Sequence, residues 1–434
     1  MRVVRPILLG FFRRVVGIYF RDIEAAGNIP APETGGRIFV GNHVNGLVDP
    51  ILVLTSAPCP ISPVAKSTLW KIPGLRFLLD AVQAVPLVRR RDDPTKKTGS
   101  NEEVFDRVAA WLAGGGNILI FPEGTSHNEP HLIQVKTGAA RMLARAHARG
   151  AQGLTFQPVA LEFDARDVFR SRCLLVYGPV RAVDDVAKTA ASPDGLVDAI
   201  TEQLRADLSE LLVEGATWPE RLLIARVAEM LANDLGDPTM ARWNDVGRQV
   251  EAARKVLRDL DEAAVERIGA AVDRYYALLA HEGLGDAELA HGGGLAPAEI
   301  PLRVAVCLLA LPIAAAAVVV YWLPYQLPRV AALRIANDPD EISTYKLATG
   351  LVVYPIWAGG LITAALLLTP LPIAVGLSAL ALIAPFVALA WRDLSRPLRR
   401  TLRLATRAER LESLRAARRE AMAAIEQTRA RLGM

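Results

Sequence analysis

Arg37-Ile38-Phe39-Val40-Gly41-Asn42-His43-Val44-Asn45-Gly46-Leu47-Val48-Asp49-Pro50 decides how the rest of the chain is read. Ile38-Phe39-Val40 is a short apolar run of the kind that forms a buried strand. A polar loop carrying an imidazole follows at once, and Asp49-Pro50 has the form of a helix start. The same order recurs where Ile118-Leu119-Ile120 leads into Phe121-Pro122-Glu123-Gly124-Thr125-Ser126-His127. Strand candidates lie at 37–40, 62–65, 84–88, 117–121, 155–161 and 173–177. Helical spacing separates them at 50–57, 67–80, 102–113 and 136–149. This alternation predicts an α/β fold, a mostly parallel sheet with helices on both faces, followed by a helical segment and transmembrane helices. Ligands of such sheets collect beyond the carboxyl ends of the strands. His43, Arg89, Glu123 and Pro158 fall at or just past strand ends, so one mouth is expected to gather them.

The 434 residues allow several cores, and the expected divisions are 1–29, an N-terminal interfacial segment; 30–215, the α/β domain; 216–300, a helical segment and linker; 301–391, a transmembrane region; and 392–434, an Arg-rich helical tail. Helix is expected over 192–212 and again over 220–289, with a break at Gly236-Asp237-Pro238. The apolar excess (52% of residues, mean hydropathy +0.25) is concentrated late in the chain. Stretches 304–323, 347–368 and 371–391 contain no Asp, Glu, Lys or Arg, and each is long enough to cross a bilayer. Tyr321, Trp322 and Trp391 suit membrane interfaces. Of the net charge of +4, the tail supplies more than all: twelve Arg stand there against five Asp and Glu, leaving the remainder net acidic. A basic block directly after an apolar segment points to lipid and away from nucleic acid. Three full crossings would place the α/β domain and this tail on opposite sides, against the positive-inside tendency, so a re-entrant stretch or a hairpin over 347–391 is the competing arrangement.

Two further segments have two readings each. Phe11, Phe12, Val15, Ile18, Tyr19 and Phe20 among Arg5, Arg13, Arg14 and Arg21 either lie in the membrane interface or pack on the α/β domain. The tail leucines face lipid at its start or belong to a solvent helix. Cys59, Cys173 and Cys307 are too scattered for a disulfide framework or a metal pattern, which suggests a reducing compartment. The N-terminal apolar run is cut by Arg13-Arg14, unlike a signal peptide.

His43 with Asp49 reads as a base and its orienting carboxylate. An alcohol needs a base to become a nucleophile at neutral pH, and a carboxylate on the far ring nitrogen fixes the tautomer. No GxSxG elbow is present, so direct attack by a bound hydroxyl is favoured over an acyl-enzyme. The competing view makes Asp49 only a helix cap. His127 and His131 lack any metal-ligand spacing, so no metal is expected. Lys66 and Lys136 sit before helices, where a cation can join an anion site; a surface lysine is the plainer reading.

Four blocks together resemble the glycerolipid acyltransferase superfamily: Asn42-His43 with Asp49-Pro50; Val85-Pro86-Leu87-Val88-Arg89-Arg90; Phe121 to His127; and Phe156-Gln157-Pro158-Val159-Ala160-Leu161. The resemblance covers roughly residues 30 to 215. Most of that superfamily has four residues between His and Asp, whereas five stand here. That spacing, with Ser126-His127-Asn128-Glu129-Pro130 and Phe169-Arg170-Ser171-Arg172, is similar to the fungal-type glycerol-3-phosphate/dihydroxyacetone-phosphate sn-1 acyltransferases. The resemblance implies that His43 is the general base and Asp49 its partner. It implies that Arg89, helped by Arg90, binds the acceptor phosphate, for which a guanidinium fork is suited; without the motif, Arg89-Arg90-Arg91 reads as a solvated or lipid-facing basic cluster. It also places Glu123 and Gly124 at the acceptor pocket, and Pro158 along the acyl channel, with ordinary strand packing the other reading of Pro158. Glu123 cannot itself grip a phosphate, because like charges repel, so holding Arg89 or the loop is its other role. Thr125 and Ser126 either donate to phosphate or cap the loop. Asn42 completes the block.

The expected protein is a membrane-bound enzyme moving a fatty acyl group from acyl-CoA or acyl carrier protein to the sn-1 hydroxyl of glycerol 3-phosphate or dihydroxyacetone phosphate. No cofactor beyond the thioester co-substrate is expected, and the oligomeric state is left open. The competing acceptor is 1-acylglycerol 3-phosphate or another lysophospholipid. A rival of another class is a non-catalytic lipid-binding scaffold. Lack of an organelle address and an Ala/Arg-rich composition suggest a bacterial inner membrane with the catalytic domain cytoplasmic; the endoplasmic reticulum is the alternative.

Overall fold

Ile38, Phe39 and Val40 are all fully buried, as a central strand covered on both faces requires. The computed structural model describes residues 4–72, 74–88, 102–190, 192–290, 295, 297–406 and 408–431. These fall into two compact units, Met1–Arg221 with Asn337–Thr344, and Leu222–Ala336 with Tyr345–Met434.

The first unit is built on an eight-stranded sheet: β1 (Asp22–Gly27), β2 (Arg37–Gly41), β3 (Ser62–Lys66), β4 (Val85–Leu87), β5 (Ile118–Ile120), β6 (Thr155–Phe163), β7 (Arg172–Tyr177) and β8 (Arg181–Ala182). Its order is β1-β7-β6-β2-β5-β3-β4, with β8 paired to β6. Pairing is parallel except where β6 meets β7 and β8. Register sets Ile38 beside Ile118 and Phe156, and Val40 beside Ile120 and Pro158. The side chains of Ile38, Val40, Ile118, Ile120 and Phe156 share one core with α4 (Glu102–Ala113), α5 (Gly138–Ala148), α6 (Val183–Ala187) and α7 (Pro193–Ser209). Phe39 and Leu119, alternating to the opposite face, are fully buried as well. Helix α1 (Val4–Tyr19) packs on α2 (Val48–Ser56) and on α3 (Leu75–Ala81).

Most of the expected strands and helices appear within a residue or two of their expected ends. The single helix expected over 67–80 is instead a 3-10 turn, Ser67–Lys71, followed by α3. The segment 1–29 also differs from a purely interfacial piece. β1 pairs in parallel with β7, and Val16, Tyr19 and Phe20 are buried. A boundary at residue 30 would therefore cut a strand from its sheet. Ile7 and Phe11 remain exposed on α1.

The second unit contains α8 (Trp218–Asp234) beyond Arg221, then α9 (Met240–Leu260), α10 (Glu262–Glu282), α11 (Asp286–Ala290), α12 (Ile300–Ile335), α13 (Ile342–Leu368) from Tyr345 on, α14 (Leu371–Thr406) and α15 (Ala408–Arg431). The break at 235–239 is present, and Thr239 caps α9 by accepting the Arg242 N–H. The tail is neither a solvent helix nor free for lipid along its length. Leu411, Leu414, Ala421 and Ile425 of α15 are buried against Met230, Val272, Tyr275 and Leu279. Arg418 lies 2.7 Å from both Asp286 and Asp234, and Tyr275 donates to Asp286 at 2.6 Å. A leucine stripe on a basic helix has found protein, which buries it as lipid would. Among the described residues, three helical stretches are long and apolar enough to cross a membrane: Pro297–Ile335, Pro339–Leu368 and Leu371–Arg403. Trp391 Nε1 of α14 donates to the Cys307 carbonyl of α12 at 2.9 Å, and Tyr321 and Tyr354 stack.

Candidate active site

β2 delivers Asn42 and His43 past its carboxyl end, and the chain turns through 44–47 into α2. Buried Asn42 continues the sheet with its side chain: Oδ1 accepts the Leu161 N–H at 2.7 Å and Nδ2 donates to the Leu161 carbonyl at 3.1 Å. That pins the loop to β6. The His43 ring stacks on Phe121, with centroids 4.2 Å apart, and its Nδ1 lies 2.9 Å from Asp49 Oδ2. Asp49 is fully buried, and the same Oδ2 accepts the N–H groups of Val44 (2.9 Å) and Asn45 (2.7 Å). An oxygen already receiving two N–H groups is an acceptor, so Nδ1 carries the ring hydrogen and the lone pair sits at Nε2. Nε2 makes no hydrogen bond among the described residues, and the side chain is 18% exposed. Asp49 does not cap α2. Leu47 holds that position, and Asp49 sits inside the first turn with its carboxylate folded back into the loop. The helix N-terminus favours its charge there.

The second block meets the first through Glu123, which is buried. Its Oε1 accepts the His43 backbone N–H at 2.6 Å; its Oε2 accepts the Ile133 N–H at 3.2 Å and meets His127 Nε2. The His127 N–H donates to the His43 carbonyl at 3.1 Å. Glu123 thus holds the two loops together with its carboxylate. Gly124 has φ +72°, a left-handed conformation that glycine adopts without strain, and Lys136 Nζ lies where a Cβ would point. Lys136 Nζ donates to the Glu123 carbonyl at 2.7 Å, which ties α5's approach to this loop. Thr125 Oγ1 donates to the Ser126 carbonyl at 3.2 Å, and both residues are half-buried. Lys66 ends β3 and is partly exposed. Pro158 is interior to the sheet beside Val40, its carbonyl accepting the Gly178 N–H at 2.9 Å. Arg89 and Arg90 lie outside the described residues.

Sequence reasoning missed Arg166. It belongs to no block, yet its guanidinium donates to the Val44 carbonyl (3.0 Å), the His127 carbonyl (3.4 Å) and Asn128. Burial holds its pKa below the usual arginine value, with Asp340 the largest opposing influence. Behind the loops is a cavity of about 220 Å³ lined by Asn42, Glu123, His127, Arg166, Trp218 and Arg221, among others. His43 and Asp49 do not line it, so it is not the opening at Nε2. Arg221 closes its wall by pairing with buried Glu162 at 2.6 Å, while Glu162 also accepts the Val213 N–H at 2.9 Å. Burial raises the Glu162 pKa and Arg221 opposes that rise. Arg221→Met should therefore destabilise the protein by about 3–5 kcal/mol, because a carboxylate is left buried without its partner. A thermal unfolding midpoint equal to wild type would contradict this.

Among the described residues no group of three or more His, Cys, Asp or Glu could hold a metal ion. What the arrangement offers is an oriented imidazole with a free nitrogen beside a polar loop at the sheet's carboxyl edge.

Residues 22–162 match the family model described as Acyltransferase. Glycerol-3-phosphate O-acyltransferase 2 of Saccharomyces cerevisiae is 39% identical over 85 residues, 19% of this chain and 11% of that protein. Glycerol-3-phosphate O-acyltransferase 1 of the same yeast is 22% identical over 289 residues, 47% of this chain and 38% of that protein. The 1-acyl-sn-glycerol-3-phosphate acyltransferase of Borreliella burgdorferi is 26% identical over 196 residues, 44% of this chain and 73% of that protein. The chain thus spans only a minor part of the two yeast proteins' length. Residues 22–162, which contain the His43–Asp49 pair and the Glu123 loop, thus match the Acyltransferase family model, and the relatives fit the glycerolipid acyltransferase superfamily.

Proposed function

We propose that the protein moves a fatty acyl group from acyl-CoA or acyl carrier protein to the sn-1 hydroxyl of glycerol 3-phosphate or dihydroxyacetone phosphate. The observation that carries the reading is the His43 Nδ1–Asp49 hydrogen bond, which leaves Nε2 as a base. Nε2 takes the hydroxyl proton as that oxygen attacks the thioester carbonyl carbon. The tetrahedral intermediate collapses, the C–S bond breaks, and the imidazolium returns its proton to the departing thiolate sulfur. Asp49 stabilises the imidazolium between those two transfers. Arg89, with Arg90 as helper, binds the acceptor phosphate, and Thr125 and Ser126 donate to it. The three apolar helices hold the enzyme in the bilayer, with the domain on the cytoplasmic side of a bacterial inner membrane.

The acceptor is assigned from the five-residue His–Asp spacing and the local likeness to a yeast glycerol-3-phosphate acyltransferase. The broader match to a protein named for 1-acyl-sn-glycerol 3-phosphate supports lysophosphatidate as the second reading. Full-length protein in nanodiscs, given labelled acyl-CoA or acyl carrier protein and each acceptor in turn, separates them. The expected result is a higher kcat/KM for glycerol 3-phosphate or dihydroxyacetone phosphate. Preference for lysophosphatidate would move the assignment to the second reading; transfer to none of them would favour a non-catalytic lipid-binding protein.

A further inference from the structure

The connector Asn337–Thr344 follows α12 and includes the first turn of α13, yet it belongs to the unit that contains the sheet. Ser343 and Asp340 are buried there. Thr344 Oγ1 accepts the Leu47 N–H at 2.9 Å across 297 residues of sequence. Leu47 is the residue at the N-cap of α2, where its own N–H has no partner within the helix and takes its acceptor from elsewhere. Gly46, beside it, has φ +40°, and a Cβ there would lie 2.5 Å from Thr344 Oγ1 and 3.3 Å from the Asp340 carbonyl. The loop between His43 and Asp49 therefore closes directly on the connector. A second line of contact runs through Arg166. Ser343 Oγ donates to the Arg166 carbonyl at 2.7 Å and accepts the Tyr19 hydroxyl at 3.1 Å. Asn45 Nδ2 donates to that same carbonyl at 3.3 Å. The Arg166 guanidinium holds the carbonyls of Val44 and His127, the neighbours in the two motif loops.

We propose that the 337–344 connector is part of the catalytic centre: Thr344 and Ser343 are positioning residues that set the 43–49 loop, Thr344 directly at Leu47 and Ser343 through Arg166. Neither is assigned contact with substrate. They act by keeping His43 and Asp49 in register, and a small displacement of such a pair is costly in rate. The proposal rests on the acyl-transfer reading for its activity test, and on amide exchange for a test that needs no activity.

Thr344→Val keeps the shape and removes the acceptor. It should lower kcat roughly tenfold, the scale of leaving one buried N–H unpaired, with both KM values unchanged. Hydrogen exchange at the Leu47 amide should accelerate. Thr344→Ser, which keeps the hydroxyl, should restore both. Wild-type kcat with wild-type Leu47 protection in Thr344→Val overturns the proposal, as does a Thr344→Ser variant as impaired as Thr344→Val. Should Thr344→Val not fold, Gly46→Ala, made alone and together with Thr344→Ala, gives a second test. Its kcat loss should be smaller in a Thr344→Ala background than in wild type, because the clash partner is gone; fully multiplicative losses would overturn the proposal. A wild-type chain inactive with every acceptor defeats the acyl-transfer reading instead, while Leu47 exchange still decides the connector.

Discussion

Replacing His43 with alanine should lower acyl transfer by about 10²–10⁴-fold, the usual cost of losing a general base. The fold should survive, because the loop's anchors at this position are main-chain. The His43 N–H is held by Glu123 and its carbonyl by His127, whatever the side chain. Asp49 also keeps its two backbone donors, Val44 and Asn45. What disappears is the ring on Phe121 and its free nitrogen. Expression, recovery in the membrane fraction and the unfolding midpoint should therefore stay near wild type while turnover collapses. Wild-type turnover in this variant would end the assignment of His43 as base.

Asp49→Asn should cost roughly 10²–10⁴ in kcat, in line with carboxylate-to-amide changes behind a catalytic histidine. The amide has the same volume, and its oxygen can still accept from Val44 and Asn45. It brings no negative charge to the imidazolium, and its NH₂ cannot accept the Nδ1 hydrogen if the group rotates. Asp49→Ala is a poorer probe, since it also strips two loop N–H groups of their acceptor. Unchanged kcat in Asp49→Asn, with the protein folded, would reduce Asp49 to a loop brace.

The sequence revealed the parts of this fold whose physics is local. Ile38-Phe39-Val40 and Ile118-Leu119-Ile120 are apolar on every residue because both faces of the central strands are covered. Glu102 to Ala113 shows its helical stripe through Val104, Phe105, Val108 and Leu112, all buried. β1 was hidden because Asp-Ile-Glu-Ala-Ala-Gly is an edge strand, paired on one side only, and carries charge where a central strand would be apolar. The leucines of α15 were visible as a stripe, but their burying partner lies in helices far upstream. The site divides in the same way. His43 and Asp49 stand six residues apart, so their pairing is readable from one loop. Glu123 was recognisable as a loop holder or a pocket residue, and its hydrogen bonds to His43, His127 and Ile133 show it bracing the loops. Arg166 and Thr344 carry no local signal, since each matters only through contacts with residues distant in sequence.

The central claim is that His43 and Asp49 act as one unit, and a double-variant cycle tests it most directly. Acyl transfer should be measured for wild type, His43→Ala, Asp49→Asn and the double variant, all full-length in the same membrane preparation. With the base gone, its orienting carboxylate has nothing left to orient, so the double variant should be about as slow as His43→Ala alone. Losses that multiply, each independent of the other, would contradict the pair.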